Sequence, residues 1–232
     1  MEPTTATAES HARLEDLLAH LPASNLTDYR KGHIIYGPQQ PSKGFYLVSE
    51  GKVQLSQVGV GGREILLDII GPEELFGESA FRVAPGNSER ATAHENTSVM
   101  TWSTSEIEYL VTRRPRLAVA LLQVIAQRNA ELTSRIESLA VDSIEQRLAR
   151  SLIRFSERLG TPEENGSVKM LPLTHRLLSR YVGTSREIVS HYMNQFRKRG
   201  YVTYSRTGIQ LYRDALKASI TQRSFSSAER TN

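Results

Sequence analysis

The 232-residue sequence has no cysteine, which excludes disulfides and cysteine-ligated zinc or iron–sulfur centres. It also lacks any apolar run approaching the length of a membrane span, so no membrane partner is expected. The opening residues, MEPTTATAES, have neither the basic nor the apolar region of a signal peptide, and a cytoplasmic protein is the expectation. A strong field of one sign is missing too. The formal net charge is only +4, so overall charge does not advertise nucleic acid. What is present, 39% hydrophobic and 23% charged residues, describes a soluble globular chain. Its length suits one large domain or two smaller ones. Basic residues gather toward the C-terminal end.

That end holds the most informative stretch, Leu171 to Tyr212. Thr174 can cap a helix whose apolar face is Leu177, Leu178, Tyr181 and Val182, and Gly183 can stop it. Ser185 caps a second helix over 185–199, with Val189, Tyr192, Met193 and Phe196 on the apolar side. The opposite side carries Arg186, Glu187, Ser190, His191 and Asn194. Two short helices around a glycine turn form a helix-turn-helix, and its second helix enters the major groove N-terminus first. Arg186 can donate twice to guanine and Glu187 can accept from the cytosine amino group, with Ser190 and His191 as further base contacts. Arg197, Lys198 and Arg199, then Arg206 between the strand-like runs Tyr201–Ser205 and Ile209–Tyr212, suit phosphates. Thr174, Thr184, Ser185 and Asn194 are the polar candidates for the DNA backbone.

TSREIVSHYMNQFRKRGYV resembles the recognition helix and wing of the cyclic-AMP receptor protein/FNR (CRP/FNR) family of bacterial transcription regulators. The resemblance extends from about Leu14 to Ile220. It implies an α+β fold in three parts: a β-roll sensor domain over 1–115, a dimerisation helix and hinge over 116–142, and a winged helix-turn-helix domain over 143–232. The partners it implies are double-stranded DNA, a second copy of the chain, RNA polymerase and a small-molecule effector.

The residues of the first part agree with a roll. Residues 1–9 are small and polar, and Ser10 can cap a helix through His20. From Tyr29 the period becomes that of strands: His33–Tyr36, Gly44–Val48, Lys52–Leu55 and Arg63–Ile70, punctuated by glycine. Ser49-Glu50-Gly51 reads as a hairpin turn, and Gly59 to Gly62 as another. FYLVSEGKVQL resembles the family's sensor strands.

Leu75-Phe76-Gly77-Glu78 followed by Ser88-Glu89-Arg90-Ala91-Thr92-Ala93 resembles the family's phosphate-binding cassette. In cyclic-nucleotide binders the cassette glutamate holds the ribose, and an arginine and a serine hold the phosphate. Gly77 and Glu78 match. Counting back from Val99 puts Asn87 and Ser88 where arginine and serine belong; a gap brings Arg90 into place but leaves Ala91 for serine and Glu89 beside the anion. The candidate effector pocket is Gly77, Glu78, Ser88 and Arg90, with Arg128 reaching from the following helix. Cyclic AMP is disfavoured as its occupant, and the effector is left open.

Ser105 can cap a helix through Arg114, with Pro115 ending it, and a long helix spans Arg116 to Ala140. Ala118, Leu122, Ile125, Asn129, Leu132, Ile136 and Leu139 recur at alternating spacings of four and three, the seam of a two-stranded coil with a polar residue at Asn129. A second stripe, Leu117, Leu121 and Val124, is placed to cover the roll. Ala140-Val141-Asp142 interrupts the pattern and serves as the hinge; Ser143 opens a helix to Gly160, and a polar loop over 160–169 leads to the helix-turn-helix. A short helix from Asp214 and a frayed tail after Ile220 complete the reading.

Two other classes use rolls. A cupin-like metalloenzyme needs clustered imidazoles and carboxylates, but the roll offers only His33 and His94. A haem sensor would rest on His94 alone. The expectation is a non-enzymatic, effector-responsive regulator binding a palindromic operator as a homodimer.

Overall fold

The computed structural model describes residues 19–59, 62, 64–82, 88–205 and 208–228, the side chains of 221–228 excepted. The expected helix from Ser10 lies outside them except at Ala19 and His20, which form a turn. The fold is α+β and falls into two compact units, 1–134 and 135–232.

The first unit packs two four-stranded antiparallel sheets face to face. One is ordered β1 (Leu26–Tyr29), β8 (Thr97–Ser103), β3 (Gly44–Glu50), β6 (Leu75–Phe76); the other is β2 (Ile34–Tyr36), β7 (Glu89–Ala93), β4 (Val53–Val58), β5 (Glu64–Ile70). A 3-10 helix, Glu78–Phe81, follows β6. The interior holds Tyr36, Tyr46, Val48, Val53, Leu55, Ile70, Phe76, Ala91 and Val99. The outer face of the first sheet has its own apolar cluster, Phe45, Leu47, Leu75 and Trp102, covered by Ile107 of α1 (Thr104–Arg113) and by Leu117, Ala120 and Leu121 of α2 (Pro115–Val141). Side chains of a strand alternate between faces, so β3 gives Tyr46 and Val48 to the interior and Phe45 and Leu47 to the helices. The covering stripe of Leu117, Leu121 and Val124 is where the spacing puts it.

Three readings are corrected here. Ser49-Glu50-Gly51 does not close a hairpin, because β3 pairs with β6 and β8 while β4 pairs with β5 and β7. The turn carries the chain from one sheet to the other. Gly51, at φ 79°, sits so close to the β7–β8 turn that an added Cβ would lie 2.3 Å from the Asn96 carbonyl oxygen. Thr97 Oγ1 completes this junction by accepting from Lys52 N at 3.1 Å, with its one proton shared between the Lys52 and Glu95 carbonyl oxygens, each at 2.9 Å. Next, Ser103 rather than Ser105 caps α1: its hydroxyl accepts from Glu106 N while Glu106 returns a bond to Ser103 N, a capping box. Pro115, besides ending α1, opens α2, where a missing N–H costs nothing.

The second unit begins within α2. Ser143 caps α3 (Ile144–Leu159), and a four-stranded sheet is ordered β11 (Val202–Tyr204), β12 (Ile209–Leu211), β10 (Val168–Met170), β9 (Thr161–Pro162). Around it lie α4 (His175–Val182), α5 (Arg186–Lys198) and α6 (Arg213–Ala228). The last helix continues past Ile220 to Ala228, so the expected frayed tail is helical over that stretch. Leu148, Leu152 and Phe155 of α3 are buried with Leu178, Val189, Met193, Phe196, Val202, Leu211 and Leu216. Ion pairs from Glu145 to Arg199 and from Glu157 to Lys217 tie α3 to the end of α5 and to α6. No helix among the described residues is long and apolar enough to cross a membrane.

Candidate functional site

The helix-turn-helix forms from local signals. Thr174 Oγ1 accepts from Leu177 N at 3.1 Å, and α4 buries Leu177, Leu178, Tyr181 and Val182. Gly183 ends it in the left-handed conformation at φ 75°, donating to Ser179 O. Ser185 Oγ then accepts from Ile188 N, and α5 buries Val189, Met193 and Phe196, with Tyr192 only half-buried. Arg186, Glu187, His191, Asn194 and Lys198 are exposed on the far side, Thr184 is half-buried at the turn and Ser185 is exposed. The backbone N–H of Glu187 and the Ser185 hydroxyl hold the Glu187 carboxyl below its usual range, so it is an acceptor at neutral pH. Arg206 lies outside the described residues.

Contacts across this surface were not legible in local spacing. Ser190 Oγ donates to Arg186 O at 2.9 Å and lies 2.8 Å from His175 Nδ1. With the Ser190 proton committed to that carbonyl, His175 Nδ1–H is the donor of the second bond. The His175 ring meets Tyr204 edge to face, and burial, then the Arg186 charge, lower its pKa. Tyr204 of β11 donates to Asn194 Oδ1 at 2.9 Å and carries Arg197 over its ring. Ser190 and Asn194 are therefore held from the first helix and the wing. His191 Nε2 lies 2.7 Å from Gln195 Nε2, whose amide oxygen accepts from Arg199, so the amide N–H donates and the imidazole accepts. Sequence reasoning missed His175, Tyr204 and Gln195.

The roll brings its candidate residues together only in part. Gly77 is at φ 97°, and a Cβ there would lie 2.5 Å from Gly44 O, so the cassette turn requires glycine. Glu78 Oε1 pairs with Arg128 Nη1, and Arg128 Nη2 donates to Leu75 O at 2.7 Å. Burial opposes the Arg128 charge, yet Glu78, with Asp68 and Glu74, raises its pKa. The expected grouping of Ser88 and Arg90 with this pair is corrected. Arg90 pairs with Glu64 of β5, and Ser88 accepts from Gln57 of β4. Strand alternation puts Glu89, Ala91 and Ala93 on the core face of β7, and Arg90 on the other. Glu89 Oε1 is the inward acceptor, taking hydrogen bonds from Tyr36 Oη at 2.6 Å and Ser79 Oγ at 2.8 Å. Burial and then Glu89 push the Tyr36 pKa well up, so the phenol stays a donor. Among the described candidate residues the fit to a cyclic phosphate is poor: the inward group is a carboxylate, and Arg90 and Arg128 each pair with another.

Along α2, Leu122, Ile125, Leu132, Ile136 and Leu139 are exposed in the single chain, as is Asn129, while Ala118 is half-buried. The two compact units part between Ser134 and Arg135, inside α2, rather than at 140–142. Arg135 accounts for this: its guanidinium lies 4.1 Å over the Tyr181 ring and donates to Tyr181 O at 2.6 Å. Asp142 pairs with Arg150 at 2.8 Å just before α3. No group of three His, Cys, Asp or Glu side chains converges among the described residues; His33 is exposed and His94 half-buried in the β7–β8 turn.

Residues 26–114 match the cyclic nucleotide-binding domain and residues 146–219 the Crp-like helix-turn-helix domain. The CRP-like cAMP-activated global transcriptional regulator of Mycobacterium tuberculosis is 30% identical over 177 residues, 75% of this chain and 78% of that protein. A solved transcriptional regulator of the CRP/FNR family from Thermus thermophilus superposes with TM-score 0.68 at 29% identity, over 84% of this chain and 97% of that one. FixK2 from Bradyrhizobium japonicum shares the fold, with TM-score 0.74 at 24% identity over 85% and 97% of the two chains. These relatives are transcription regulators, not enzymes. With a nucleotide-binding-type roll, a long helix and a helix-turn-helix in this order, the chain belongs to the CRP/FNR family of DNA-binding transcription regulators.

Proposed function

We propose that this regulator acts in the cytoplasm as a homodimer joined along the α2 seam. It reads a two-fold symmetric operator with Arg186 and Glu187 at base edges, and it relays the outcome to RNA polymerase. The observation that carries this reading is the exposed recognition face of α5 combined with the row of exposed aliphatic residues on α2. A single recognition helix reads too few bases for specificity, and two of them meet successive major grooves only at about 34 Å. Ser185, Thr184, Thr174 and the basic end of α5 supply backbone contacts. The roll is the seat of control, since α2 both covers it and carries the seam. An effector acts there only through its differential affinity for two arrangements. The cAMP activation named for the mycobacterial relative does not transfer to a roll whose inward group is Glu89.

Selection of operators from random duplex DNA by the full-length protein tests this. Enrichment of an inverted repeat with half-sites one helical turn apart is the expected result. Enrichment of a single asymmetric site, or of none, overturns it.

A further inference from the structure

We propose that Glu89 is the roll's own anion. Its carboxylate holds the 3-10 helix in place without a nucleotide, and an effector of this roll acts by breaking that contact rather than by supplying a phosphate. The inference rests on the reading of the chain as an operator-binding dimer and concerns how its sensor is regulated.

Three elements meet at Glu89. It lies in β7 with its side chain on the core face, where Tyr36 of β2 and Ser79 of the 3-10 helix both donate to Oε1. Tyr36 is 1% exposed and packs against Tyr46 and Phe76, so its hydroxyl has no freedom to seek water instead. The neighbouring residue, Glu78, pairs with Arg128 of α2. One turn of helix is thus gripped on one side by a strand of the second sheet and on the other by the long helix that carries the seam. A bound anion would have to supply the same grip. Here the chain supplies it internally, and an incoming phosphate meets a carboxylate, while Arg90 is engaged by Glu64 and Arg128 by Glu78. A ligand with no favourable difference in affinity between two states shifts neither. An effector that competes for the Tyr36 and Ser79 hydroxyls, by contrast, frees the 3-10 helix and uncouples it from α2.

The test is operator affinity of the full-length dimer with and without millimolar cyclic AMP, for wild type, Glu89→Ala, Glu89→Gln and Tyr36→Phe. Wild type is expected to bind its operator without nucleotide, with no change beyond about twofold on adding cyclic AMP. Glu89→Ala is expected to weaken operator binding by about five- to a hundred-fold, the ordinary range of coupling between sites, while binding to non-specific duplex stays unchanged. Glu89→Gln keeps an acceptor oxygen and should recover most of the loss; Tyr36→Phe, which removes one donor and keeps the ring, should show a smaller loss of the same kind. If Glu89→Ala does not fold, judged by the single tryptophan, Trp102, the Tyr36→Phe variant decides. Operator binding that requires cyclic AMP overturns the proposal, as does unchanged operator affinity in a folded Glu89→Ala or Tyr36→Phe variant. Failure to recover any operator, with or without nucleotide, refutes the operator-binding reading instead.

Discussion

Replacing Leu132 and Ile136 with lysine should convert the dimer to monomers without harming the fold of either unit. In the single chain Leu132 is 43% and Ile136 67% exposed, so together they present roughly one full aliphatic side chain to water. Covering that much is worth about 1.5–3 kcal/mol per protomer, and so about 3–6 kcal/mol across a two-fold seam. At tenfold for each 1.4 kcal/mol, losing it raises the dimer dissociation constant by about 10²–10⁴. The lysines repel their symmetry mates and add to this. Because neither residue packs into the cluster beneath α2, the native surroundings of Trp102 should be kept, and its thermal transition should fall only by the association lost and become independent of protein concentration. Sedimentation equilibrium across the micromolar range reads the association directly, and operator binding should fall with it. A dimer that sediments unchanged would place the interface elsewhere and refute the seam.

Three further outcomes are expected. Arg186→Ala should cost about 1–3 kcal/mol and relax one operator position, whereas Lys198→Ala should weaken all sequences alike and lower the salt slope by about one unit; binding profiles against salt separate the two. His191→Arg should sharpen preference for guanine beneath that residue, because the wild-type imidazole spends Nε2 on Gln195 and keeps one donor at most; identical selection profiles would show that it faces no base. Burial lowers the folded pKa of His94, so the unfolded chain binds the proton more readily. The roll should therefore keep this contribution above about pH 6.5 and lose it as pH falls, by up to about 1.4 kcal/mol per unit. Trp102 melts across that range should show a shallower loss in His94→Gln.

The reader of DNA was the most legible part because its signals are local. Thr174, Gly183 and Ser185 sit within a few residues of the backbone groups they satisfy, and the apolar faces follow the helical period. The exposed aliphatic row along α2 follows the same local period. What escaped needed partners distant in sequence. His175 meets Ser190 from fifteen residues away, and Glu89 meets Tyr36 from fifty-three. A turn such as Ser49-Glu50-Gly51 looks alike whether the next strand pairs with the last or crosses to another sheet; only the interlock with Asn96 and Thr97 decides. Ser103, Thr104 and Ser105 can each cap a helix, and the choice fell to the residue whose third neighbour is Glu106.

The position of β3 between two apolar clusters has a consequence for how the chain finds its register. An ordinary half-buried strand is held in phase because a slip by one residue turns its oily face to water. β3 lacks that safeguard, since a slip would merely trade Tyr46 and Val48 for Phe45 and Leu47 between two dry environments. The phase must be kept by something other than hydrophobicity. Gly44 does this by absence: a Cβ there would come within 1.9 Å of the Trp102 carbonyl oxygen. Moved one step, the strand would press a side chain into that gap, and so the missing side chain at its first residue indexes the whole wall between the two cores.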